Sequence, residues 1–302
     1  MALAVSGVLA LASCHEGAPI PYTEDCFDDN YNAEVPFTFV VSEDMENAYT
    51  IQARGSETEL VKRYTVWAYK DGATSPSFSF SSLSETPSAT LPIGNYEFKV
   101  FCDYVDKDMP KDKYFFTDEV DEILVFKKSS YAAFTHYKHS FWGQTSAKIV
   151  YKNKPVRVEL SSLMARIQYK ATDAPSGYKP ENIRITYLGK IPSAINGYNS
   201  DISYEWENVS YLHKIGDGHL SFDYVFADDA ERTIPVMVEI LDGEGAVKGR
   251  VQEIRVPIKR GGVTTVEGPF FSTLDDEPEP PVPSGGGVGI DTGFTSTVVF
   301  EV

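Results

Sequence analysis

The side chains with most chemistry to offer are one cysteine, a pair of histidines, clustered carboxylates and two tryptophans. Cys14 closes a short apolar run that ends Leu11-Ala12-Ser13-Cys14. The run is too short to span a bilayer as a helix and fits the apolar stretch of a signal peptide. His136 and His139 stand three apart among Tyr131, Phe134, Tyr137, Phe141 and Trp142. Zinc would want a third or fourth ligand at a compatible spacing, and on a strand positions i and i+3 face opposite ways. No metal site and no cofactor is expected. Carboxylate pairs such as Asp228-Asp229 and Asp275-Asp276-Glu277 read as solvated, not as an acid and a base across a cleft. The acidic loop Asp25-Cys26-Phe27-Asp28-Asp29 lacks regular oxygen-ligand spacing for calcium. Nucleophile elbows, zinc-protease helix motifs and phosphate-cradling glycine loops do not occur. No catalytic residue is assigned, and an enzyme is not expected.

Binding has better support than catalysis. Trp142 in Ser140-Phe141-Trp142-Gly143 and Trp206 in Tyr204-Glu205-Trp206-Glu207 are flanked by polar residues. Exposed rings of this kind stack on sugars or on a protein partner, so these two form the candidate ligand platform. The plainer reading is that they cap sandwich cores or a domain interface. Charge narrows the partners. The chain of 302 residues has a formal net charge of −17, which argues against nucleic acid, whose binding needs clustered Lys and Arg.

The elements that must position these residues read as strands. Tyr and Phe number 18 each, and both favour half-buried pleated surfaces. Strand-like runs occupy 35–41, 61–69, 95–104, 121–128 and 146–151, with a turn at Lys70-Asp71-Gly72. In 95–104 one face is Tyr96, Phe98, Val100, Cys102 and Tyr104, and the other is mostly acid and Lys. That alternation predicts one wet face. A second set runs through 155–170, 182–188, 219–226, 234–241, 246–258 and 262–271, with a hairpin signal at Asp242-Gly243-Glu244-Gly245. No apolar stretch in the body of the chain is long enough for a transmembrane helix. The expected fold is all-β, two tandem antiparallel β-sandwich domains of transthyretin-like or immunoglobulin-like form.

The expected organisation is a signal peptide at 1–14, an acidic tether at 15–34, sandwiches at 35–150 and 151–274, a Pro/Gly linker at 275–289 and a last strand at 290–302. The tether and linker compositions suit extended, loose chain. The last segment is apolar beyond that linker. Phe294, Val298, Val299 and Phe300 make it the candidate strand-exchange segment, and folding back onto its own chain is the preferred placement. Cys102 is expected to face a core. With Cys26 it forms either a disulfide or a pair of thiols.

The order of these features resembles a known family. Leu11-Ala12-Ser13-Cys14 is similar to a bacterial lipobox, although no Lys or Arg precedes the apolar run, so the true start is expected upstream. Then come Val66 to Gly72 (V-x-A-Y-x-D-G), Leu91 to Phe98 (L-P-x-G-N-Y-E-F), Val156 to Tyr169 (V-x-V-E-L…A-R-I-Q-Y) and Val256 to Phe270. Together they resemble the fimbrillin-like surface lipoproteins of Bacteroidetes, which include subunits and anchors of type V pili. The resemblance implies lipidation at Cys14 and a lipid-anchored, surface-exposed place in the cell outer membrane. It implies a role as fimbrial anchor, tip or accessory subunit. It also implies assembly by β-strand addition, with other fimbrial subunits or host or bacterial surface ligands as partners. In pilus subunits of this family a protease cuts after an Arg near the first strand; Arg54 and Arg63 are the nearest arginines here, with Arg54 the better placed. The alternative reading is a glycan-binding surface lipoprotein that uses Trp142 and Trp206.

Overall fold

A computed structural model describes residues 31–42, 60–125, 131–173, 182–215, 220–271 and 295–299. The chain is all-β. The first part contributes β1 (Asn32–Val41), β2 (Leu60–Lys70), β3 (Phe78–Ser82), β4 (Ser88–Pro92), β5 (Gly94–Asp106), β6 (Phe115–Phe116), β7 (Ile123–Val125), β8 (Phe141–Ile149) and β9 (Val156–Ser162). The second contributes β10 (Met164–Ala171), β11 (Asn182–Tyr187), β12 (Ile191–Ile195), β13 (Ile202–Trp206), β14 (Val209–Lys214), β15 (Ser221–Phe226), β16 (Arg232–Leu241), β17 (Val247–Ile258), β18 (Val263–Gly268) and β19 (Thr295–Val299).

The two parts repeat one topology. In the first, β4-β1-β9 and β3-β2-β5-β8 join into a single seven-stranded sheet where β8 meets β9. In the second, β15-β10-β18-β19 and β14-β11-β16-β17 are separate four-stranded sheets. Pairings of β1 with β4 and β9, β2 with β3 and β5, and β5 with β8 recur as β10 with β15 and β18, β11 with β14 and β16, and β16 with β17. In both modules the first strand lies parallel to the last; the other ladders of the repeat are antiparallel.

Two expectations need correction. The run 155–170 is two strands, and the first of them, β9, belongs with β1 and β8 in the first module, which therefore extends past 150. Val156, Val158 and Leu160 pack in the first core with Val35, Phe37, Phe98 and Val100. The chain changes sheets at Leu163, whose N–H donates to Ser140 O at 3.1 Å. Alternation marks this change only by a shift of one: the buried apolar positions are Val156, Val158 and Leu160 in β9 and Ala165, Ile167 and Tyr169 in β10, whose other face is buried as well. The expected wet face of β5 is also buried. Lys99, Phe101, Asp103 and Val105 lie out of solvent. A third apolar cluster covers that side, formed by Trp67, Tyr69, Phe101, Phe115, Ile123, Met164, Phe222, Tyr224 and Phe226 among others. A small sheet, β13-β12-β7-β6, draws two strands from each part of the chain.

Turn chemistry behaves as expected. Asp71 and Gly72 both take positive φ, 50° and 77°, after β2. Between β16 and β17, Asp242 Oδ1 accepts the N–H groups of Glu244 and Ala246, and Gly245 sits at φ 83°. Gly143 answers a different need. A Cβ there would strike the Glu159 carbonyl and the Leu160 side chain, so only glycine lets β8 cross β9 at the corner of the sheet.

Candidate functional site

Strand β19 is the fourth strand of its sheet. It runs antiparallel to β18, with Val263 opposite Val299, Thr264 opposite Val298 and Glu267 opposite Thr295. The other side of β18 is the parallel ladder with β10. The segment thus folds back on the second module. Val298 and Val299 fall within β19; Phe294 and Phe300 lie outside the described residues. In the first module the strand corresponding to β18 is β9. It pairs with β8 only through Ser161 and Ser162, and among the described residues no strand is paired with 156–160 on that side.

The tryptophans are not an exposed platform. Trp142 on β8 and Trp206 on β13 are half-buried, and both pack against the third apolar cluster. The Trp142 indole N–H donates to Gly197 O at 2.8 Å. Trp206 also touches the core of the second module. The bulk of an indole is here used to seal the junction between modules.

The histidines serve the same junction. His136 lies in a 3-10 turn, His136–Lys138, just before β8. His139 is buried, shares a 2.8 Å hydrogen bond with Ser162 Oγ and stacks on Tyr224 at 4.9 Å. Burial, with Lys62 and Arg166 nearby, pulls the His139 pKa down to about 3. Burial beside Arg166 pulls His136 to about 4. These rings stay neutral at ordinary pH and behave as aromatic packing.

Two buried acids escape a reading of the sequence, because carboxylates read as surface. On β5, Asp103 accepts two hydrogen bonds from Arg63, at 2.9 and 2.7 Å, and Arg63 also reaches Asp112 at 2.7 Å. Burial pushes the Asp103 pKa up against the pull of Arg63. Arg63 is therefore a clamped residue inside β2, not a cleavable loop arginine, while Arg54 lies outside the described residues. Above this pair opens a cavity of about 600 Å³ lined by Thr65, Ser79, Phe80, Ser81, Asp112 and Phe116 among others. On β15, Asp223 accepts from Lys138 Nζ at 2.8 Å and from the hydroxyls of Tyr131 and Tyr187 at 2.7 Å each. Cys102 is buried in the first core as expected. Cys14, Cys26 and the acidic loop at 25–29 lie outside the described residues.

A family model described as a family of unknown function (DUF6562) matches residues 28–300. The chain belongs to that family. A search of curated proteins finds no match. Among solved structures, similar chains include a candidate adhesin from Bacteroides ovatus, with TM-score 0.47, 13% identity and coverage of 76% of this chain and 78% of that one. Another is a candidate cell adhesion protein from Bacteroides uniformis, with TM-score 0.47, 9% identity and coverage of 89% and 98%. A third is the fimbrial anchor protein Mfa2 from Porphyromonas gingivalis, with TM-score 0.44, 10% identity and coverage of 78% and 92%. At these identities and TM-scores the likeness is loose.

Proposed function

We propose that this protein is a non-enzymatic lipoprotein of the cell surface that serves a fimbrium as anchor, tip or accessory subunit and joins its partners by β-strand addition. The observation that carries the reading is the placement of β19: a strand that follows a Pro/Gly-rich segment completes the edge of a sheet by main-chain pairing. Such pairing gives affinity without demanding a particular partner sequence. The edge of β9 is the equivalent position in the first module, and it offers a second chain's terminal strand the place that β18 offers β19. The glycan-binding alternative has less support, because Trp142 and Trp206 are half-buried and pack at the module junction.

Deletion of 290–302 tests the mechanism. The expected result is a lower melting temperature of the monomer, loss of assembly with partner subunits, or both; unchanged values for both would remove any role for the segment. The membrane end is tested separately. Labelled fatty acid should incorporate into the wild type and not into Cys14→Ala, and equal labelling would refute the anchor.

A further inference from the structure

The segment Tyr131 to His139 closes the open side of the second sandwich. The Phe134 N–H donates to Phe222 O on edge strand β15 at 2.9 Å. The Phe134 ring stacks on His213 of edge strand β14, with 3.4 Å between centroids, and Tyr131 stacks on Tyr211 of the same strand. This bridge carries Lys138 into the interior beside Asp223. Side-chain exposure is 2% for the lysine and 0% for the aspartate.

The two most deeply buried acid–base pairs among the described residues differ in kind. Arg63 holds Asp103 by a two-point fork, and a guanidinium is no nucleophile. Lys138 meets its acid at one point, Nζ to Oδ1 at 2.8 Å. The other oxygen, Oδ2, is held by two phenol donors, Tyr131 and Tyr187, each at 2.7 Å. The Lys138 nitrogen also lies 3.7 Å from the centroid of the Tyr131 ring. Tyr169 of β10 adds a further buried phenol on the same face, since Ile167 is opposite Asp223 and Tyr169 opposite Ser221.

We propose that Lys138 and Asp223 condense to an intramolecular amide that staples the 131–139 bridge to β15. The 2.8 Å contact is the geometry before reaction. The ammonium proton passes along the hydrogen bond to Oδ1, leaving a neutral amine and a neutral acid. The Nζ lone pair attacks Cγ, and the charge that develops on Oδ2 falls between the two phenol donors, as in an oxyanion hole. One of the two protons left on Nζ moves to the Oδ1 hydroxyl, the Cγ–Oδ1 bond breaks and one water leaves, while the other proton stays as the amide N–H. One C–N bond replaces one C–O bond, and no oxidant or co-reactant is needed. The fixed pair supplies the proximity that free amine and acid lack in water. Burial also pulls the Lys138 pKa below its ordinary value, with Asp223 opposing, which favours the nucleophilic form.

A bond here would suit a tethered surface protein. Tension entering at residue 138 would pass directly to residue 223, bypassing everything between, from β8 to β14. Forced unfolding is governed by the unfolding barrier, and a covalent bypass removes those strands from the loaded path.

Tryptic digestion of the denatured full chain, read by mass spectrometry, decides the matter. Expected is a species joining 129–148, uncut at Lys138, to 215–232, lighter than the sum of the two by one water. Recovery of 129–138, 139–148 and 215–232 as separate unmodified peptides would overturn the proposal. The joined species should vanish in Lys138→Met, and its persistence there would also overturn it. Tyr131→Phe with Tyr187→Phe should lower the joined fraction at a fixed time after synthesis; an unchanged fraction would refute the role given to the phenols. None of these outcomes depends on whether the protein assembles by strand addition.

Discussion

At the scale of single residues, the functional reading turns on polar groups placed where polarity is costly. His139 shows the consequence most directly. Its folded pKa is about 3 against an ordinary 6.5. Below pH 6.5 the unfolded chain takes up this proton and the folded chain does not, so stability falls as pH drops from 6.5 towards 3. At pH 5 the expected loss from this group is about 2 kcal/mol relative to pH 7. His136 and His213, both lowered to about 4, act in the same sense. Urea denaturation at pH 7 and pH 5 measures the difference, and His139→Gln should flatten the slope. A wild type equally stable at both pH values would contradict the buried, neutral ring. The clamp on β5 makes a second test. Arg63→Met strands the buried Asp103 carboxylate and should cost about 3–5 kcal/mol at neutral pH. A change below about 1 kcal/mol would mean that the site is wetter than the geometry indicates. Neither pair is legible in the sequence. Asp103, Lys99 and Asp223 carry the signature of a solvated face, and only their partners Arg63, Glu97, Gln144 and Lys138, distant in sequence in most cases, make their burial tolerable.

At the scale of elements, what can be read is what period two expresses. The long strands β1, β2, β5, β16 and β17 fall close to the expected runs, and the hairpin after β16 follows from its Asp and Gly. The short strands β3, β4, β6, β12, β13 and β14 do not stand out. Several of these lie in polar or Pro-broken sequence, and they owe their strand form to a neighbour more than to their own residues: β6 pairs only with the three-residue β7, whose other partner, β12, lies some seventy residues on. The join between β9 and β10 leaves only a one-residue shift in the alternation, since the change of sheet depends on a backbone crossing. Gly143 marks that crossing. Gly143→Ala must push β8 away from Glu159 and Leu160, and the expected loss is about 1–3 kcal/mol. Equilibrium unfolding measures it; Ser146→Ala, at an exposed position of the same strand, serves as the comparison. A Gly143→Ala variant as stable as wild type would show that the corner can relax.

At the scale of the whole molecule, the repeated topology invites the expectation of two independent sandwiches, and the interface argues against it. The third apolar cluster takes Trp67, Tyr69, Phe101 and Phe115 from the first part and Met164, Ile195, Phe222, Tyr224 and Phe226 from the second. The small sheet pairs β7 with β12 across the same boundary, and the 131–139 bridge closes the second sandwich with residues that precede β8. Separating the modules would expose those aromatics and leave β7 without its partner, a combination of apolar patch and unpaired edge that drives aggregation. The full chain should therefore unfold in one cooperative transition by both aromatic fluorescence and backbone circular dichroism. A fragment ending at Ser162 should bind a hydrophobic dye and lose its sharp transition, while Met164→Ala and Phe226→Ala in the full chain should lower the single midpoint for both probes together. A fragment that melts sharply, with little dye binding, would make the interface a dispensable contact. With the interface intact, load entering at β1 and leaving at β18 meets one body instead of two in series, which is what the proposed role as a surface tether would require.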